Sequence, residues 1–181
     1  MTRDEALQLV KEHVKTKNLI KHMLAAEAIL GRLAQEFDQD EDAWRLAGLV
    51  HDVDYEHTQH NPEEHAVKGA EILRESGCSE EVVHAVLAHA EKAPRESLLD
   101  KALYATDPLT GLIVAAALVH PDRKLASIDA QFVLNRYGEK SFARGANRET
   151  IAACQELGLD LAQFISLGLE AMQGISKELG L

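Results

Sequence analysis

The stretch AGLVHDVD at residues 47–54 joins an apolar run to a His-Asp pair and largely decides how this chain is interpreted. At helical spacing His51 shares a face with Trp44, so an apolar helix face leads directly into the pair. A polar loop follows at once, and we therefore expect a helix over 41–53 that ends beside the pair. Consecutive helical residues point about 100° apart, so His51 and Asp52 can both reach one ion only near such an end.

The rest of the chain repeats one pattern, in which apolar helical stretches are separated by short polar or glycine-containing breaks. With only 11 glycines and 4 prolines, a turn-rich β protein is disfavoured. We expect an all-α fold: a single compact helical domain over 1–181, with a core at 18–119 and additional C-terminal helices over 120–181. That extension completes the fold, forms an interface or caps the pocket. The predicted helices cover 4–14, 19–37 with Asn18 as N-cap, 41–53, 62–76 from Pro62 to a stop at Gly77, 79–90, 97–105, 108–119 after a kink or restart at Pro108, 127–136, 148–157 and 161–179.

The composition is that of a globular protein with a strong acidic excess. The 30 acidic and 19 basic residues leave a net charge of −11, which predicts no nucleic-acid partner and no membrane partner. A local basic pocket for a small phosphate ester stays open. Cys78 and Cys154 are too few for a disulfide framework and no signal-peptide pattern is visible, so we expect a cytoplasmic location. The longest uncharged stretch, 108–119, is too short to span a bilayer and fits a buried core helix.

Four polar residues lie on predicted apolar helix faces, and we expect them to point inward. They are His22 beside Ala26, Ile29 and Leu33; His51 on the face described above; His89 beside Val82, Ala85 and Val86; and Asp107 beside Leu99 and Leu103, where it would be a buried charge. His84 shares a mixed face with Glu80 and is predicted at the surface. One inward histidine is more often a packed core residue than a ligand. Several histidines that converge with aspartates instead favour a metal site.

These residues, in this order, resemble the H…HD…D signature of the HD-domain superfamily of metal-dependent phosphohydrolases. Two further segments, HAVKGAEIL at 65–73 and AVLAHAEKA at 85–93, resemble the HDIG-type members with two metal ions. The resemblance implies a small stand-alone member in which His22, His51, Asp52 and Asp107 hold one ion. His65 and His89 would hold a second, with Asp52 bridging. It implies two divalent transition-metal ions as cofactors, with Fe or Mn expected and Zn, Co or Ni as alternatives.

The sequence departs from this family at the residues that follow the pair. Many relatives read His-Asp-Ile-Gly-Lys, whereas here Asp54 takes the glycine position and Tyr55 the lysine position. No Gly-Tyr-Pro motif follows His89, which argues against the cyclic-dinucleotide phosphodiesterases. The layout is closer to the branch that hydrolyses dinucleoside polyphosphates. Arg95 and Lys92, directly after His89, are the predicted catalytic contacts to the substrate phosphate, together with Asp52. The segment SFARGANRE at 141–149 is a candidate lid.

The predicted function is therefore a metal-dependent phosphohydrolase, either a phosphomonoesterase or a phosphodiesterase, that uses metal-activated water. Its substrate would be a nucleotide or another small phosphate ester. Two alternatives remain open: a regulatory domain that binds metal without turnover, and a dinuclear-iron oxygenase built on the same ligands. A homodimer is compatible with the helical surface.

Overall fold

The computed structural model describes all 181 residues and contains helices and turns but no β-strand, so the all-α prediction is confirmed. The helices, in chain order, are α1 Arg3–His13, α2 Lys17–Glu36, α3 Glu41–Val50, α4 Tyr55–Thr58, α5 Val67–Glu75, α6 Glu80–His89, α7 Leu98–Val119, α8 Ala130–Gly138, α9 Arg148–Ala152, α10 Leu161–Gly174 and α11 Ser176–Leu179. Short 3₁₀ turns at Leu125–Ser127 and Ala153–Leu157 join the C-terminal helices.

Helices α2 and α3 form the most extensive helix pair of the fold. Their backbones approach closely at Gly48, where an added Cβ would lie 2.6 Å from the Glu27 nitrogen and 2.7 Å from the Ala26 oxygen. Only glycine fits such an approach. The close crossing brings His22 on α2 to His51 at the end of α3, with their Nε2 atoms 3.0 Å apart.

We expect Gly48→Ala to lower the free energy of unfolding by about 1–3 kcal/mol, because the new methyl group meets backbone atoms that cannot rotate away. Gly111→Ala is the matched control, since a Cβ at that position in α7 meets nothing within 4 Å. The control should leave stability unchanged or raise it by about 0.5–1 kcal/mol. Urea unfolding of ion-free protein measures both, and equal stabilities would show that the crossing tolerates a side chain.

Several helix boundaries differ from the predicted ones. The third helix ends at Val50 rather than at residue 53, and residues 51–54 form a turn. The helix predicted from Pro62 begins only at Val67, because Ala66 has a left-handed backbone (φ 64°) and turns fill the preceding segment. Asn18 is not the N-cap of α2, which Thr16 precedes instead. The end of α3 and the start of α5 were therefore both misplaced, and at both points a turn replaces the predicted helix and carries polar side chains.

Helix α7 runs unbroken through Pro108, where a kink or restart was predicted. Proline lacks the N–H that the carbonyl four residues earlier would accept, which costs about 3 kcal/mol in a helix interior. Burial of Leu103, Leu109 and Leu112 on both sides of it keeps the helix continuous. By length and composition alone α7 would pass as a membrane span, but 56% of its apolar 18-residue stretch is buried inside the protein. A core helix passes the same test.

The C-terminal segment packs into the same hydrophobic core as the preceding helices. Helix α10 lies against α2, α7 and α8, and its Phe164 and Met172 are fully buried. The helix predicted over 161–179 is interrupted at Ile175, which leaves the helical backbone between α10 and α11. The segment therefore helps to hold α2 and α7, the two long helices that supply His22 and Asp107.

Candidate metal centre

The structure brings all six predicted ligands together, although they come from five separate parts of the chain. His22 lies on α2, His51 and Asp52 follow α3, His65 lies in the turn before α5, His89 ends α6, and Asp107 lies in α7. The ligand atoms form two groups, and within each group all the atoms lie within 4.8 Å of one another. The first group is His22, His51 and Asp107, and the second is His51, Asp52 and His89. Imidazole and carboxylate donors of this kind suit first-row transition metals.

Asp52 lies between the two halves of the cluster. Its Oδ2 is 3.6 Å from Nε2 of His22 and 3.7 Å from Nε2 of His51. Its Oδ1 is 3.5 Å from Nε2 of His65 and 3.6 Å from Nε2 of His89. Each carboxylate oxygen therefore faces a different pair of histidines, which is the arrangement expected of a ligand shared by two ions.

Hydrogen bonds on the outer side of the rings orient the histidines. Nδ1–H of His51 donates to the Gly48 carbonyl (2.8 Å) and that of His89 to the Val86 carbonyl (2.5 Å). Both acceptors belong to the last turn of a helix, where carbonyls lack a helical partner. A histidine at a helix end can reach back to such a carbonyl and point Nε2 outward. This orientation leaves Nε2 free to bind a metal.

His22 reaches the same orientation through a side chain. The Thr110 hydroxyl donates to the Asp107 carbonyl (2.8 Å) and so accepts from Nδ1–H of His22 (2.7 Å). His22 Nε2 then lies 3.1 Å from Oδ1 of Asp107. Sequence reasoning missed Thr110, and its only signal was a hydroxyl residue one helical turn after a predicted ligand.

Burial is uneven across the cluster. His51 and His89 are buried, whereas the Asp107 side chain is 39% exposed. Asp107, which was predicted to be a buried charge, is therefore only partly buried, because α7 turns this residue toward the rim of the site. Clefts of about 310 and 350 Å³ open on the two sides of Asp107. Both volumes fall at the small end of the range for ligand pockets.

The carboxylates change the ionisation of the histidines. Burial lowers the pKa of His51, but the neighbouring Asp52 and Asp107 carboxylates outweigh it and raise that pKa to about 9. Burial in turn raises the pKa of Asp52, but His51 and the hydrogen bond from His89 bring it to about 2. The pKa of Asp107 also lies well below its usual range, because His22 and His51 outweigh its desolvation. The ion-free protein thus holds protons on histidine at pH 7 and negative charge on both aspartates.

These pKa values predict proton release on metal binding. His51 must lose its Nε2 proton to bind an ion, so uptake of Mn²⁺ at pH 7 should release about one proton per chain and metal affinity should rise up to about pH 9. The stability of the ion-free fold should instead fall as the pH rises. A raised folded pKa contributes stability that is complete below about pH 6.5 and is lost as the pH rises through 9. Calorimetric Mn²⁺ titration in two buffers of different ionisation enthalpy measures the proton count. His60→Ala, at an exposed loop position, is the control, and an absence of proton release would contradict the prediction.

Each of the two predicted substrate cations is paired with a glutamate. Lys92 Nζ lies 3.3 Å from Glu63. Arg95 pairs with Glu156 (Nη2–Oε1 2.9 Å), and its guanidinium stacks 3.9 Å above the Tyr104 ring. Neither contacts a predicted ligand, although Tyr104 lines the cleft beside His89. Their role in phosphate binding stays a prediction.

The segment predicted as a lid borders the cluster. Gly145 lines both clefts beside Asp107. The Arg148 guanidinium donates to the carbonyls of Phe142, Ala143 and Ala146, so its charge fastens the segment instead of facing the site. Arg144 is exposed.

An all-helical fold in which histidines and aspartates from five parts of the chain converge defines a class of helical proteins with a candidate metal centre. Comparison with known proteins identifies the family. The sequence model of the HD domain family matches residues 19–120, which is more than half of the chain. The chain therefore belongs to the HD domain family. The predicted resemblance is confirmed.

The curated relatives include several ribonucleases Y. Ribonuclease Y of Oleidesulfovibrio alaskensis is 34% identical over 98 residues, which are 53% of this chain and 18% of the relative. That of Salinispora arenicola is 28% identical over 167 residues, which are 90% of this chain and 28% of the relative. That of Desulfotalea psychrophila is 28% identical over 162 residues, or 86% and 31%. The chain spans less than a third of the length of these relatives, so they support the hydrolase family and leave the substrate open.

Proposed function

We propose that this chain is a two-metal phosphohydrolase that acts on a nucleotide or another small phosphate ester. The observation that carries the proposal is the Asp52 carboxylate, whose two oxygens each face a different pair of histidine Nε2 atoms. Four imidazoles, three of them oriented by hydrogen bonds, and two ionised carboxylates form a donor set that fits two divalent ions of the Fe or Mn type. His22, His51, Asp52 and Asp107 would hold one ion, and His65, His89 and Asp52 the other.

Divalent ions in this position supply a water of lowered pKa and neutralise the charge on the phosphoryl oxygens. The chain itself contributes position and access. Thr110 and the two helix-end carbonyls hold the rings, so the ligands are arranged before substrate arrives. Buried His51 and His89 close the inner side of the cluster, and substrate phosphate would enter past Asp107, the most exposed of the six ligands. The clefts there would receive the rest of the ester.

Charge favours a small substrate over a long polyanion. A net charge of −11 repels nucleic acid, and the two cations predicted to bind phosphate, Lys92 and Arg95, already pair with carboxylates. The ribonuclease Y relatives nevertheless favour RNA cleavage as a second candidate. We further propose a cytoplasmic location, which two buried, unpaired cysteines support.

The test begins with elemental analysis of protein purified under argon without chelator or added metal. About two ions per chain would support the centre. The protein, supplied with that metal, is then offered mononucleotides, a dinucleoside polyphosphate, simple phosphomonoesters and phosphodiesters, and a labelled RNA oligomer. Turnover of a small ester supports the proposal, and turnover of RNA alone transfers support to the second candidate. Bound metal without turnover indicates a regulatory domain, and oxygen consumption an oxygenase.

A further inference from the structure

Asp54 lies directly behind His65, on the side of the ring away from the metal ligands. The aspartate is completely buried, and its Oδ1 lies 3.4 Å from Nδ1 of His65. Neither atom makes a hydrogen bond of standard geometry with the other or with any other group, and both are shielded from solvent. Buried polar atoms of this kind are nearly always paired, so these two atoms can satisfy only each other.

The second oxygen of Asp54 is fixed by the fold. Oδ2 accepts from the Ala66 N–H (2.9 Å), and the Thr58 hydroxyl shares its proton between Oδ2 (3.3 Å) and the Asp54 backbone carbonyl (3.0 Å). Gly69 leaves the space for this carboxylate, because a Cβ there would lie 2.9 Å from Asp54 Oδ1. The left-handed backbone at Ala66 turns its N–H toward Asp54 and places His65 against the same carboxylate.

His65 differs from the other three histidines in the group that its Nδ1 atom faces. His51 and His89 donate to helix-end carbonyls and His22 to a hydroxyl. His65 lies in a turn outside any helix and has no such carbonyl within reach. A buried carboxylate takes the place of the neutral acceptors, at the position where many HD-domain relatives carry glycine.

We propose that Asp54 is a positioning residue for the second ion. It holds the proton of the neutral His65 ring on Nδ1, which leaves the Nε2 lone pair directed toward Oδ1 of Asp52. The Asp54 carboxylate can only accept, so it favours the proton on Nδ1, and an ion held at Nε2 would exclude the competing tautomer in which Nε2–H donates to Asp52. The inference rests on the two-ion centre proposed above and assigns control of its second half to one residue.

Asp54→Asn tests the inference with little change of shape. The amide oxygen must keep accepting from Ala66 N–H, which turns the amide NH₂ toward Nδ1 of His65. An NH₂ group donates, so the proton of His65 should move to Nε2, where it blocks metal binding. Thr58→Ala is the matched control, because it removes the other side-chain partner of Asp54 and leaves the carboxylate facing His65.

Two measurements are made on each protein. The ¹⁵N shifts of the His65 ring in protein supplied with diamagnetic Zn²⁺ report which ring nitrogen carries the proton. Equilibrium dialysis with Mn²⁺ reports the number and affinity of bound ions. We expect the Nδ1–H tautomer and two ions in wild type and in Thr58→Ala. In Asp54→Asn we expect the Nε2–H tautomer and a second ion bound roughly 10–100-fold more weakly.

The outcomes separate the inference from the function on which it rests. Wild-type protein with His65 in the Nε2–H tautomer overturns the inference without any variant. If wild type and Asp54→Asn bind two ions equally well, or if the tautomer is the same in both, the inference about Asp54 is overturned and the two-ion centre stands. Wild-type protein that binds only one ion overturns the two-ion centre and this inference together.

Discussion

Protein with Asp52→Asn is expected to bind at most one ion per chain and to lose at least about 10³-fold of its phosphohydrolase activity at saturating Mn²⁺. The physical reason is the geometry of the Asp52 carboxylate. Its Oδ1 faces His65 and His89, and its Oδ2 faces His22 and His51. An amide has one oxygen and one NH₂ group, so it can serve only one pair and directs donors at the Nε2 atoms of the other. The shared ligand is therefore lost while side-chain volume is kept.

Asp122→Asn is the matched control for that experiment. Asp122 is an exposed carboxylate that also lies beside a histidine, with Oδ2 3.8 Å from Nδ1 of His120. We expect this variant to keep both ions and full activity. Elemental analysis after dialysis and initial rates on the best substrate measure the effect, and thermal melts in chelator test that both variants fold. A fully loaded, active Asp52→Asn protein would remove Asp52 from the centre.

His65→Ala is expected to lose one ion of two and about 10²-fold or more of the activity. His65 is the histidine that faces only the second half of the cluster, with Nε2 3.5 Å from Oδ1 of Asp52. The first half is formed by His22, His51 and Asp107, which are close to one another without it. One ion should therefore remain bound. A single ion neutralises the charge of the substrate phosphate less completely than two, so the activity of the variant should fall.

His84→Ala is the control for this second experiment, because His84 also lies beside a carboxylate. Its Nδ1 is 3.2 Å from Oδ1 of the buried Asp100, at the N-terminal end of α7 and outside the ligand cluster. This histidine was predicted at the surface and is partly exposed. Two ions and full activity are expected in His84→Ala. If instead His84→Ala lost an ion and His65→Ala kept both, the second ion would have to be assigned to other residues.

The outline of the centre could be predicted because it depends on local pattern. His22, His89 and Asp107 interrupt apolar helix faces, and a polar residue on such a face points into the protein. The all-α class followed from the same periodicity. Helix ends were predicted less well near the centre, where α3 stops at Val50 and α5 begins only at Val67. Local sequence preferences are overridden there, because turns are needed to bring side chains toward one point.

The residues behind the ligands were not predictable in the same way. Thr110 and Asp54 act on rings that are 88 and 11 positions away in the sequence, so no spacing rule connects them. Lys92 and Arg95 follow His89 directly, yet the fold pairs them with Glu63 and Glu156. Proximity in sequence to His89 gave no indication of these two ion pairs.

The sequence by itself determined the class of the fold and the order of the candidate ligands, because helical periodicity and ligand chemistry are carried by single residues and short spacings. His65 was added only by the resemblance to the HD family. Only the tertiary structure decided that Asp52 faces two pairs of histidines, that Asp107 lies at the exposed rim, and that Asp54 stands behind His65. These facts depend on how α2, α3, α6 and α7 pack against one another. Such packing is set by many distant contacts, including the close approach at Gly48.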